Sequence, residues 1–211
     1  MDGFESHGCR RFYYLCLKKY MNEKDIAPII LASKSPRRQE LLTLMNIPFR
    51  IALKDVDETY PEELSPAQIA VYIAEKKARA FDESLTDDEI VLTADTIVCV
   101  DSLILGKPED ETHAFEMLSL LSGRKHEVYT GVALMNKSGL HSFYEATDVY
   151  FRNLSPEQIK YYIETYKPLD RAGSYGIQDW IGLIGIERIT GSYTNVVGLP
   201  TERLYRELLS M

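Results

Sequence analysis

The stretch Ile90-Val-Leu-Thr-Ala-Asp-Thr-Ile-Val-Cys-Val100 constrains this chain most. Apolar side chains occupy both odd and even positions, so an extended strand here is apolar on both faces. Such a strand, or pair of strands, must be covered from both sides and belongs at the centre of a sheet. Around it, extended and helical segments alternate with no internal repeat, low-complexity tract or clear linker, the order of an α/β fold. At 211 residues the chain can bury a full core, as one large domain or two lobes of one fold. Strands are expected at about 29–32, 49–53 and 184–189, with helices at about 36–45, 66–81, 110–122, 156–166 and 201–209. An antiparallel pair at about 126–135 and 140–151, joined by a Lys-Ser-Gly turn, suggests a second, more β-rich lobe; residues 191–198 read as a loop.

Two polar residues interrupt the central run. Asp95 is costly there unless paired, hydrogen-bonded or bound to metal. Two readings stand: the chain turns at Asp95, whose side chain caps local amides, or the carboxylate is functional. The 66–81 helix contains a similar misfit. At 100° per residue, Ile69, Ala70, Ile73, Ala80 and Phe81 share a stripe roughly 120° wide, and Lys77 falls inside it. Either Lys77 snorkels along an apolar face or it is aimed into a cleft.

A third feature is Ser33-Lys-Ser-Pro-Arg-Arg38, which follows the apolar run Ile29–Ala32. Ser35 suits an N-cap and Pro36 the first helical position, as Ser65-Pro66 and Ser155-Pro156 do elsewhere. Arg37 and Arg38 then sit in a first turn that is already electropositive, where cations cost stability unless an anion arrives. Strand, polar loop, helix start and paired arginines describe a phosphate cradle; the plainer reading is a surface helix with solvated arginines. Lys107, in Gly106-Lys-Pro108, is held extended by the following proline. His126 and Thr130 read as structural hydrogen-bonders.

The net charge of −8 excludes a domain-wide basic field for nucleic acid, so an anionic ligand needs a local pocket that concentrates cations. No apolar run approaches the roughly 20 residues of a membrane span, and Phe12–Leu17 is too short for the apolar core of a signal sequence. Cys9, Cys16 and Cys99 are odd in number and unpaired in spacing, which favours a reducing, cytoplasmic setting. His7, His113, His126 and His141 show no zinc spacing. Residues 1–26 read as a helical extension that docks by its aromatic side, ahead of a domain over 27–211.

Taken together, Ser33-Lys-Ser-Pro-Arg-Arg38, Ala94-Asp-Thr96, Gly106-Lys-Pro108, Tyr175-Gly-Ile-Gln178 and Gly191-Ser-Tyr-Thr-Asn-Val-Val-Gly-Leu-Pro200 resemble the Maf family of nucleoside triphosphate pyrophosphatases in order and spacing. The resemblance implies a two-lobed α/β fold like that of inosine-triphosphate pyrophosphatases, with a mixed central sheet and the active-site cleft between lobes. It implies hydrolysis of a nucleoside triphosphate to the monophosphate and pyrophosphate with Mg²⁺ or Mn²⁺, by a homodimer. Family positions fall on Ser33, Arg37, Arg38, Glu58, Lys77, Asp95, Lys107 and Gln178. One subgroup looks like dTTP and UTP pyrophosphatases and carries arginine, threonine and glutamine at three marker positions, matched here by Arg37, Thr96 and Gln178. A glutamine amide donates and accepts at once, as the O4 and N3–H edge of uracil and thymine requires. Two departures stand out: Arg171, where a lysine is frequent, and Asp179-Trp-Ile-Gly, which sets Trp180 near the expected cleft rim.

Under this resemblance Arg38, Lys77 and Lys107 face the phosphates, with Ser33 and the helix amides beside them. Glu58 and Asp95 hold the divalent ion, and Asp95 is the better candidate to take a proton from water; whether it is base, ligand or both stays open. Two other functions compete. One is a nucleotide-sensing regulator of cell division that needs no turnover. The other is an inosine-triphosphate-type house-cleaning enzyme acting on purines.

Overall fold

The computed structural model describes residues 26–211, so the expected N-terminal helix lies outside the described residues. Seven strands form one mixed sheet: β1 (Ile29–Leu31), β2 (Phe49–Ile51), β3 (Ile90–Val100), β4 (Leu103–Leu105), β5 (Lys125–Asn136), β6 (Gly139–Phe151) and β7 (Ile186–Thr190). The order is β2-β1-β3-β5-β6-β7, with β4 also on β3. Pairings β1–β2 and β1–β3 are parallel; the remaining ones are antiparallel. The helices are α1 (Pro36–Leu44), α2 (Pro66–Arg79), α3 (Glu111–Leu121), α4 (Pro156–Tyr166), α5 (Trp180–Gly185), α6 (Tyr193–Val197) and α7 (Thr201–Leu209).

The run from Ile90 to Val100 is one unbroken strand, and Asp95 lies in register with Gly131 of β5. The chain therefore does not turn at Asp95. Two expectations need correcting. The late strand begins at Ile186, because Trp180–Gly185 forms a short helix, and the loop after Gly191 contains the helix Tyr193–Val197. Periodicity cannot separate strand from helix in apolar runs this short.

Two groups of helices share one face of β3. Leu92 and Ala94 pack with Leu42 of α1 and Leu204 and Leu208 of α7. Val98 and Val100 pack with Leu118 of α3, Ile159 and Tyr162 of α4, and Ile181 of α5. These are the two lobes, and β3 runs through both. On its outer edge β1 pairs with Ile90–Leu92 and β4 with Val98–Val100. Among the described residues no strand pairs with that edge between them, so the sheet parts where Asp95 and Thr96 sit. Successive side chains of a strand point to opposite faces, so this gap is flanked by Asp95 on one side and Thr96 on the other.

Helix α2 covers the opposite face with Ile69, Ala70, Ile73, Ala74 and Ala78 buried. Its small residues let it ride low: Thr93 Oγ1 donates to the Ala74 carbonyl at 2.6 Å. A Cβ on Gly131 would overlap the main chain of Ala70. That close approach carries Lys77, two turns onward, to within reach of Asp95. Gly131→Ala is expected to push α2 off the sheet and cost about 1–3 kcal/mol, as overpacking does. Urea unfolding measures this; an unchanged midpoint would contradict it.

Candidate active site

The parted edge of β3 opens into a cleft of about 630 Å³ between the lobes. All nine residues singled out from the sequence line it: Ser33, Arg37, Arg38, Glu58, Lys77, Asp95, Thr96, Lys107 and Gln178. Ser33, Arg37 and Arg38 come from the β1–α1 junction, Glu58 from the segment after β2, and Lys77 from the last turn of α2. Lys107 follows β4 and Gln178 precedes α5. Seven cationic side chains line the cleft against four carboxylates. In a chain of net charge −8 this is the local concentration of cations that an anionic ligand needs.

At the centre, Lys77 Nζ donates to Asp95 Oδ1 at 2.8 Å and lies 3.0 Å from Glu58 Oε1. The Lys77 and Asp95 side chains are only 18% and 16% exposed, whereas Glu58 is 56% exposed. Lys77 therefore does not snorkel to solvent; its ammonium is held in the cleft by two carboxylates. Neighbouring Asp57 is used locally, accepting from Thr59 and Lys76. That leaves Glu58 facing inward.

Arg38 is held on all sides. Its Nε donates to the Gly198 carbonyl at 2.8 Å, Nη2 to Thr96 Oγ1 at 3.1 Å and Nη1 to Ser33 Oγ at 3.3 Å. Burial pulls its pKa below the ordinary arginine value, and the charge of Asp95 opposes that pull. Thr96 Oγ1 in turn lies 3.0 Å from Thr130 Oγ1, which donates to the Asn195 carbonyl. Arg37 points elsewhere, its Nη1 donating to Asp170 Oδ2 at 3.2 Å. Sequence reasoning missed Asp170, Asn195 and the cleft lysines Lys34 and Lys54. Nothing local marks Asp170 or Asn195, since their partners lie 133 and 65 residues away.

The three Ser-Pro helix starts differ at their caps. Ser65 and Ser155 form complete capping boxes with Gln68 and Gln158. Ser35 makes no side-chain cap, contrary to expectation; its own N–H donates to Ser33 Oγ at 3.2 Å. The helix start facing the cleft is therefore the one whose leading amides lack that partner. Trp180 is not in the cleft lining; it packs edge-on against Tyr161 with ring centroids 4.9 Å apart.

Among the described residues no group of three or more His, Cys, Asp or Glu is arranged to hold a metal. The donors present still suit a magnesium-like ion, which takes one or two carboxylates and completes its shell with water and substrate phosphates. Glu58 and Asp95 are such a pair, both within 3.0 Å of one cation, the Lys77 ammonium.

The description "Maf-like protein" names the family model that matches residues 28–211. This chain belongs to the Maf family. It is 51% identical over 181 residues to a dTTP/UTP pyrophosphatase of Phocaeicola vulgatus, covering 85% of this chain and 94% of that protein. It is 55% identical over 179 residues to a dTTP/UTP pyrophosphatase of Bacillus cytotoxicus, covering 85% and 93%. A solved HAM1 protein from Coxiella burnetii is a looser likeness, 15% identical with a TM-score of 0.48, covering 88% of this chain and 100% of that one. Among the described residues no helix is long and apolar enough to cross a membrane.

A histidine lies beneath the cleft wall. His126 Nε2 lies 2.7 Å from the hydroxyl of Tyr175, a cleft-lining residue. Burial lowers the His126 pKa from 6.5 to about 4, against the nearby charge of Asp148. The unfolded chain thus takes up this proton first as pH falls. The contribution to stability is intact above about pH 6.5 and is lost between there and about pH 4, a loss of about 3 kcal/mol. His126→Gln should flatten that part of the profile in urea unfolding at pH 7.5 and 4.5. An equal drop in both proteins would remove His126 as the cause.

Proposed function

We propose that this chain hydrolyses dTTP and UTP to the nucleoside monophosphate and pyrophosphate by attack of water at the α-phosphorus. The observation that carries the reading is the Glu58–Lys77–Asp95 cluster set in a cation-lined cleft. Purely sensory binding has no use for a half-buried carboxylate aimed at the ligand, and the relatives share the pyrophosphatase name, so the regulator reading is not favoured. The markers Arg37, Thr96 and Gln178, together with relatives named for dTTP and UTP, disfavour a purine enzyme.

Cleavage of the α–β bond needs an aligned water and neutralisation of a pyrophosphate leaving group. Lys107 has no ion-pair or hydrogen-bond partner among the described residues, and with Ser33 and the uncapped amides of α1 it takes the phosphates. Arg38 and Lys77 add positive charge from fixed positions, where no reorganisation is needed as charge builds up. Asp95 accepts the proton of the attacking water. Glu58 and Asp95 would hold the Mg²⁺ or Mn²⁺ that the family resemblance implies, and that ion would supply Lewis-acid stabilisation of phosphate charge. Gln178 reads the O4 and N3–H edge of the pyrimidine. The same resemblance supports a homodimer, and the odd, unpaired cysteines favour a reducing, cytoplasmic setting.

Two measurements test this. With Mg²⁺ and a panel of triphosphates, pyrophosphate should appear fastest from dTTP and UTP; orthophosphate alone, or no product, would overturn the reading. Asp95→Asn should lower kcat by about 10²–10⁴-fold, the usual worth of a positioned base, while the fold and nucleotide binding are largely kept. Near-normal turnover would end the role given to Asp95.

A further inference from the structure

Residues 170 and 171 sit side by side beyond α4; Asp170 meets Arg37, a residue assigned to base selection, and Arg171 meets Asp179, the chain neighbour of another, Gln178. Asp170 Oδ2 accepts from Arg37 Nη1 at 3.2 Å, across the cleft from α1. Arg171 turns the other way, into the second lobe. Its Nη1 pairs with Asp179 and donates to the Tyr162 hydroxyl at 3.2 Å. That hydroxyl donates to Asp179 Oδ2 at 2.7 Å and accepts from the Gly176 N–H at 3.2 Å. Tyr162 is fully buried, and the Arg171 and Asp179 side chains are 15% and 10% exposed.

The clamp leaves Gly176 no freedom. A Cβ there would overlap Arg171 Nη1 and stand 2.8 Å from Asp179 Oδ2. Gln178 lies between the two clamped residues, Gly176 and Asp179, and is itself exposed in the cleft. Its backbone is thus fixed on both sides, while its side chain has no hydrogen-bond partner among the described residues. An amide meant to read a base edge needs that arrangement, a rigid mount and a free end.

We propose that Asp170 and Arg171 are positioning residues for base selection: Asp170 aims Arg37 directly, and Arg171 aims Gln178 through the Asp179–Tyr162–Gly176 clamp. The proposal rests on the pyrimidine reading above and adds two residues to it. A single nitrogen of Arg171, Nη1, serves Asp179 and Tyr162 together; the rigid guanidinium plane holds that nitrogen in place, which an ammonium on a flexible four-carbon stem would do less well. Lysine is frequent at this position in the family pattern, and Arg171 is this chain's departure from it.

The test compares Asp170→Ala and Arg171→Lys with the parent protein, using dTTP, UTP and dGTP with Mg²⁺. For each variant, KM for dTTP and UTP should rise about 5- to 10-fold with kcat within about two-fold, and KM for dGTP should not rise, as expected when only alignment of the favoured base is lost. A purely structural role would lower turnover of all three nucleotides alike. Asp170 is on the surface, so its variant keeps the test open even if Arg171→Lys folds poorly. Unchanged preference in Asp170→Ala and in folded Arg171→Lys, or a uniform loss across the nucleotides, overturns the proposal. A parent protein that releases no pyrophosphate from dTTP or UTP would instead overturn the pyrimidine reading, and the proposal with it.

Discussion

Lys77 and Asp95 are each unfavourable where they stand until the other is considered. A carboxylate in the middle of a central strand and an ammonium in the buried stripe of a helix both lose hydration on folding. At 2.8 Å they satisfy one another, and Glu58 completes the ammonium's surroundings from the open side at 3.0 Å. The geometry that permits this is set further away. Gly131 and the alanines of α2 let helix and sheet approach closely, and the parted edge of β3 opens Asp95 to the cleft.

The site is therefore built from opposed charges held apart by a fold that is stable in other places. The lobes close over apolar layers on either side of the gap, one around Leu42, Leu92 and Leu204, the other around Val98, Leu118 and Tyr162. Cations gather in the cleft although the chain is acidic overall, and one of them, Arg38, is half-buried and engaged by Ser33, Thr96 and Gly198. An anion with several charges offsets the mutual repulsion of these groups. The missing side-chain cap at Ser35 fits the same logic, since of the three Ser-Pro helix starts the one at the cleft is the one without a side-chain cap.

Much of this was legible in the sequence, for a particular reason. Lys77 and Asp95 broke their local patterns, and a residue that violates its own periodicity points to a partner outside it. The central position of β3 and the antiparallel β5–β6 pair followed from apolar runs long enough to be decisive. Short elements were not legible: Trp180–Gly185 and Tyr193–Val197 are helices of 6 and 5 residues whose side chains carry no usable period. Nor could the sequence show that Asp170 meets Arg37, or that Ser35 would leave its helix uncapped. Those outcomes depend on how loops distant in sequence come to lie together.

The central claim is that this cleft directs water to the α-phosphorus, with pyrophosphate leaving as one unit. Hydrolysis of dTTP in ¹⁸O-labelled water, followed by mass spectrometry of both products, tests it directly. The account requires the label in the thymidine monophosphate and unlabelled pyrophosphate. Label in the pyrophosphate, or in released orthophosphate, would contradict it.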